Sequence, residues 1–225
     1  MNIFSEKNKI ASSLFYVIVS ALIIIFVTSC SQVTPELSFS DYSVIFDYHD
    51  ETTLPDARFS LFMASESDVR RYERIKIKSL ETGYIWDTKD IAITESENMQ
   101  WAGCTNLVAP EDEHFPEGRY EITYYNADEK EYTIILDIVY DSEFYDTPFA
   151  DIPDLMQKKK GLEKIVIFNK EKIVLYFGEM SDNFRTTRGI WNVFPNADSY
   201  QMMWYTPDGK VICIGPEKKV ALNEE

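Results

Sequence analysis

The chain has 225 residues, with 22 Lys+Arg set against 38 Asp+Glu and a formal net charge of −16 at pH 7. So acidic a protein offers no basic face to nucleic-acid phosphates, and anionic lipid headgroups repel it. With two histidines and three cysteines there is no HExxH, CxxC, GxSxG, Walker A or GxGxxG pattern, so no cofactor and no metal is expected.

Lys7 and Lys9 precede an apolar stretch from Leu14 to Val27, the order of a secretory signal. Fourteen helical residues reach only about 21 Å, short of the roughly 30 Å bilayer core, so a permanent span is the weaker reading. Val27-Thr28-Ser29-Cys30 directly follows and resembles a lipobox, the recognition motif of the lipoprotein signal peptidase. The resemblance implies a signal peptide over residues 1–29. It also implies a thioether-linked diacylglycerol, and usually a further acyl group such as palmitate, on Cys30, since stable anchoring takes more than one chain. Ser31 rather than Asp follows the cysteine, which in enteric-type lipoproteins implies the outer membrane of the cell envelope.

Removing Glu6, Lys7 and Lys9 with the signal leaves −17. That charge is uneven: residues 30–154 hold 9 Lys+Arg against 28 Asp+Glu, whereas residues 155–225 hold 11 against 9. A step of this kind marks a boundary and predicts two modules.

Residues 30–36 read as a polar tether, and residues 37–141 as an antiparallel β-sandwich. Val44–Tyr48, Arg58–Met63, Arg74–Lys78, Tyr84–Trp86, Ile91–Ile93 and Met99–Trp101 are short β-branched or aromatic runs at sandwich spacing. Trp86 and Trp101 are expected in its core. Tyr120–Tyr124 and Tyr132–Leu136 alternate around Asn126–Glu129 as a hairpin. Residues 142–160 carry Pro148, Pro153 and several acids, the composition of a linker. Within it, Asp154 would cap a short helix that Gly161 stops.

Residues 161–225 then form a smaller β-rich, α+β module. Its hairpins are Ile165–Phe168 with Ile173–Phe177, and Tyr200–Tyr205 with Lys210–Ile214 around Thr206–Gly209. Tyr120, Tyr125 and Lys130 recur as Tyr200, Tyr205 and Lys210, a spacing that duplication or shared turn chemistry would each produce.

The stretch Trp101-Ala102-Gly103 through Phe115-Pro116-Glu117-Gly118-Arg119-Tyr120, with the Trp204-Tyr205 hairpin, is similar to uncharacterised bacterial surface lipoproteins with Ig-like modules. That resemblance implies an Ig-like or fibronectin-type sandwich and carries over no active site.

Cys104 and Cys213 could form a disulfide across the halves in an exported protein, or remain buried thiols. His49 and His114 sit in acidic, loop-like sequence that could touch a divalent cation but lacks a ligand pattern. In Tyr124-Tyr125 and Trp204-Tyr205 one member of each pair must face the core, because adjacent strand residues point to opposite sides. The sequence therefore predicts a lipid-anchored, non-enzymatic envelope protein that binds a protein or glycan partner or supports an assembly. The alternatives are a carbohydrate or ligand carrier and a carboxylate-dependent hydrolase.

Overall fold

The computed structural model describes residues 37–65, 69, 72–96, 98–109, 114–127 and 131–221. The signal and lipobox, Cys30, the tether, Glu111–Glu113 and the tip of the 126–129 turn lie outside them.

The described chain is mainly β, in two sheets. Eight strands come first: β1 (Leu37–Asp47), β2 (Asp56–Ser65), β3 (Tyr72–Ser79), β4 (Ile85–Thr88), β5 (Ala92–Ser96), β6 (Met99–Val108), β7 (Gly118–Asn126) and β8 (Glu131–Ile138). Helix α1 (Ile152–Lys158), strands β9 (Leu162–Phe168) and β10 (Val174–Glu179), helix α2 (Thr187–Val193), and strands β11 (Ser199–Tyr205), β12 (Val211–Ile214) and β13 (Lys218–Lys219) follow. The large sheet runs β10-β9-β11-β12-β1-β2-β6-β5, with β13 paired to β11, and the small sheet runs β4-β3-β7-β8.

Alternation decides which faces meet. Phe59 and Leu61 of β2, Ile75 and Ile77 of β3, and Tyr120, Ile122 and Tyr124 of β7 are all buried in one cluster. The Phe59 and Tyr120 rings lie 6.2 Å apart across the two sheets, and Tyr124 donates its hydroxyl to the carbonyl of Ala102 at 3.1 Å. Fully burying side chains of this size contributes about 1.5–3 kcal/mol each, so this interface dominates the fold.

Residues 142–160, expected as a linker, are core. Phe144, Tyr145, Phe149, Ile152 and Met156 are buried, and Phe46 of β1 stacks on Phe144 at 5.6 Å and meets Tyr145 edge-on at 4.9 Å. The prolines and acids there mask an apolar set spaced for short helical turns. Pro153 falls in the first turn of α1, where its missing N–H is harmless. The helix ends with Lys160, not Gly161, in the left-handed region at φ 57°. The Gly161 N–H reaches back to the Met156 carbonyl at 2.7 Å, closing the last turn as a Schellman motif.

The expected division at 142–160 is likewise corrected. Strand β12 pairs in parallel with β1, Val44 opposite Val211 and Phe46 opposite Cys213, so residues 37–141 and 161–221 share one sheet. Glu36–Glu225 form one compact unit. The charge step between the halves reflects surface composition only: Val211 and Cys213 lie in the same cluster as Phe46 and Tyr48. A second, smaller core joins Ile165, Ile167, Phe184 and Ile190 beneath α2.

Candidate binding cleft on the outer face of the large sheet

The same alternation that buries one face of the large sheet sets a different group of side chains on the other. On β1, Tyr42, Val44 and Phe46 are core residues, and on β2 Phe59, Leu61 and Met63 are. Asp41 and Ser43, and Ser60 and Phe62, therefore stand on the outer face. On β6, Ala102 and Cys104 point inward, which turns Trp101 outward. Register lines these residues up in rows: Asp41 opposite Phe62 and Ser43 opposite Ser60, Phe62 opposite Gly103, and Trp101 opposite Thr94. Together with Ser96 they line an open cleft of about 260 Å³.

Gly103 makes the cleft's shape. A Cβ there would stand 2.6 Å from Cγ of Phe62 and 2.0 Å from the Leu61 carbonyl oxygen. Phe62 thus occupies the space that a side chain at 103 would need. A glycine inside a strand marks such a close approach.

Trp101 is a correction: expected in the core with Trp86, it lines the outer cleft. The two indoles differ in satisfaction as well. Trp86 is buried and donates Nε1–H to the Val108 carbonyl at 2.7 Å. Nε1 of Trp101 is shielded from solvent with no hydrogen-bond partner, a state that costs about 1–3 kcal/mol.

The β11–β12 turn braces one rim. Gly209, at φ +71°, allows the tight turn in which Asp208 accepts from Thr206 Oγ1 at 2.7 Å and from the Lys210 amide at 3.0 Å. From that turn the Gly209 carbonyl accepts the Ser43 hydroxyl at 2.7 Å. Nζ of Lys210 sits 3.1 Å from Asp41 Oδ1 and 4.0 Å over the Tyr42 ring. Because Ser43 donates to the protein, its lone pairs are what it presents to the cleft.

A second cavity of about 350 Å³ lies at the other end of β1 and includes Asp47, His49, Asp56 and Arg58. Its charges are engaged with one another. Arg58 Nε meets Asp47 at 2.5 Å and its Nη1 donates to the Thr105 carbonyl at 2.8 Å, while His49 Nε2 lies 2.8 Å from Asp56. His49 and Asp56 are both largely exposed, so that pair adds little.

Asp50 beside them accepts from Thr52 and Thr53, and those hydrogen bonds lower its carboxyl to about 2. His114 is stacked flat on Tyr145 at 3.7 Å. Among the described residues no group of three His, Cys, Asp or Glu is placed to hold a metal ion.

Cys104 and Cys213 are free, buried thiols rather than a disulfide. The strand order β6-β2-β1-β12 puts three strand spacings, about 14 Å, between them, and a disulfide needs Cα atoms about 4.4–6.8 Å apart. Burial pushes the Cys104 thiol up to about 12 and raises Cys213 as well, so neither is a thiolate nucleophile near neutral pH.

Both aromatic pairs divide as their strands require. Tyr124 is buried while Tyr125 lies outside beneath Arg74 at 3.9 Å. Trp204 packs on the main core, and Tyr205 lies outside with Lys164 4.9 Å over its ring. Trp191 is 39% exposed on α2.

The sequence reading missed Phe62, Gly103 and Trp101 as a group. The available signal was the glycine two residues after Trp101, together with the parity that puts Trp101 opposite the buried Cys104. No protein-family model matches the chain, and no curated protein matches its sequence. Among the described residues no helix is long and apolar enough to cross a membrane.

Proposed function

We propose that this chain is a lipoprotein held in the cell envelope by acyl chains on Cys30, at the outer membrane, with a body that serves as a non-catalytic binding module of Ig-like type. The signal-like amino terminus and the Val27-Thr28-Ser29-Cys30 sequence support the anchor.

Two observations support the Ig-like reading. Taking β1 to β8 as strands A, B, C, C′, D, E, F and G, the orders β1-β2-β6-β5 and β4-β3-β7-β8 are A-B-E-D and C′-C-F-G, the arrangement of that fold. Tyr120, near the start of β7, donates its hydroxyl to the Pro116 carbonyl at 2.5 Å, the geometry of the tyrosine corner of such domains.

The observation that carries the binding reading is the outer cleft, where Phe62, Trp101, four hydroxyls and Asp41 meet on rigid strands. The prominent carboxylates elsewhere serve structural pairs, Asp47 with Arg58 and Asp141 with Lys159, which favours binding over carboxylate chemistry.

Growth with an alkyne-bearing palmitate analogue tests the anchor. The label should appear on the protein in the envelope fraction and vanish in Cys30→Ser. Unlabelled wild-type protein would overturn the proposal.

A further inference from the structure

We infer that the outer cleft takes a neutral saccharide, one or two sugar rings deep, with Phe62 as the stacking platform and Trp101 as a second ring that turns to meet the ligand. This deepens the binding reading above and rests on it.

Size is the first argument. Pockets for drug-sized ligands run from about 300 to 1,000 Å³, and at about 260 Å³ this one suits a small ring system rather than a protein surface. Chemistry is the second. Sugars combine a face of C–H groups with a rim of hydroxyls that both donate and accept. The cleft offers the matching set: an aromatic ring held in place over Gly103, hydroxyls from Ser43, Ser60, Thr94 and Ser96, and the Asp41 carboxylate as an acceptor. Ser43, already donating to Gly209, offers an acceptor, and the hydroxyls of Ser60, Thr94 and Ser96 can act either way.

Charge narrows the class. Among the described residues, the one ionised group lining the cleft is Asp41, and the nearby cation, Lys210, is already paired with it and lies over Tyr42. An acidic sugar would meet a carboxylate without a free counter-charge. A neutral one meets an acceptor.

Under the centre of the cleft, β2 and β6 are paired on both sides, while β1 pairs with β12 only from Val44 to Asp47 and β5 is the edge strand of the large sheet. At the centre, contacts to a ligand therefore come from side chains, as a sugar requires.

Trp101 supplies the last element. Its indole N–H lies unpaired beneath the surface, whereas a tryptophan N–H in a buried setting normally has a partner. No hydrogen bond holds the ring in its present orientation. A sugar oxygen at the cleft gives that N–H an acceptor once the indole swings outward, so ligand binding and ring rotation are coupled.

The test uses full-length protein in a zwitterionic detergent without a sugar headgroup. The protein is applied to an array of neutral and acidic glycans, and then titrated with cellotriose, maltotriose, triacetylchitotriose and, as the acidic control, trigalacturonic acid. Binding to neutral glycans on the array is expected, with a shift in tryptophan emission that disappears in Trp101→Phe. Phe62→Ala should weaken binding at least tenfold. Thr94→Arg, on an exposed strand away from the core, should block the cleft without unfolding the protein, as circular dichroism would verify. An array bound by no neutral glycan, acidic glycans bound equally well, or neutral binding untouched by a folded Thr94→Arg would each overturn the inference. Failure here with palmitate labelling intact removes the saccharide alone. Failure of the labelling removes the envelope assignment.

Discussion

Val44 on β1 lies directly opposite Val211 on β12 in a parallel pair, and both are buried. Parallel strands cannot be joined by a tight turn, so the whole of residues 48–210 must fold between the two partners. That single relationship ties the carboxy-terminal strands to the first strand of the sandwich. It also covers an edge that would otherwise be open to strand addition.

Phe46 is the side chain most exposed to this arrangement. It is fully buried, lies opposite Cys213, and touches Phe144, Tyr145 and Tyr140. Phe46→Ala should destabilise the protein by about 3–5 kcal/mol through lost transfer energy and a cavity. Urea denaturation would read this as a lower midpoint with an unchanged slope.

Tyr120→Phe keeps the buried ring and removes the hydroxyl that donates to the Pro116 carbonyl and is hydrogen-bonded to Ser79. The expected loss is about 1 kcal/mol. A loss near zero would mean that the corner is not closed by that hydroxyl.

Gly103→Ala forces a methyl group against the Leu61 carbonyl and the Phe62 ring. The backbone must shift, and overpacking of this kind costs about 1–3 kcal/mol. Thermal unfolding of the variant checks the figure.

The buried thiols predict silence. In Cys30→Ser protein neither Cys104 nor Cys213 should react with a thiol reagent in the native state near neutral pH, and both should react after denaturation. A thiol reacting at native rates would contradict the burial that raises both groups.

Asp141 accepts from Lys159 at the end of α1 and from the Glu143 amide. The hydrogen bond from Lys159 is the main cause that holds the Asp141 carboxyl below its ordinary value and raises the Lys159 ammonium. A lowered acid contributes stability above its unfolded pKa of about 3.9 and loses it as pH falls through the folded value. The raised lysine contributes below its own ordinary value and is lost only in alkali. Asp141→Asn keeps a capping oxygen and removes the charge. It should destabilise by roughly 0.5 kcal/mol near neutrality, the scale of a solvent-screened pair. That difference should shrink as the pH is taken progressively below about 3.9, as urea midpoints along an acid series would show.

What was legible in the sequence was local. The hairpins β7–β8, β9–β10 and β11–β12 form where alternation and turn residues place them. At the second of these, Asn169 Oδ1 accepts from the Ile173 amide at 2.8 Å, the kind of side-chain turn closure that asparagine brings. The partner of β1 was not legible, since nothing in Val44 or Val211 names a strand some 160 residues away. Residues 142–160 were misread because proline and acid content outweighed the aromatic spacing. Trp101 was misread because tryptophan is ordinarily a core residue, whereas the parity of β6 is fixed by Ala102 and Cys104. The echo between Tyr120 and Tyr200 has no shared role here: one closes a corner of the small sheet and the other packs on the second core.

Pulsed hydrogen exchange across a urea titration of the full-length protein, read on peptides from β7 and from β11, tests the one-body architecture most directly. One coincident midpoint for the two strands is the result this fold requires. A carboxy-terminal strand that loses protection at clearly lower urea while β7 stays protected would contradict it.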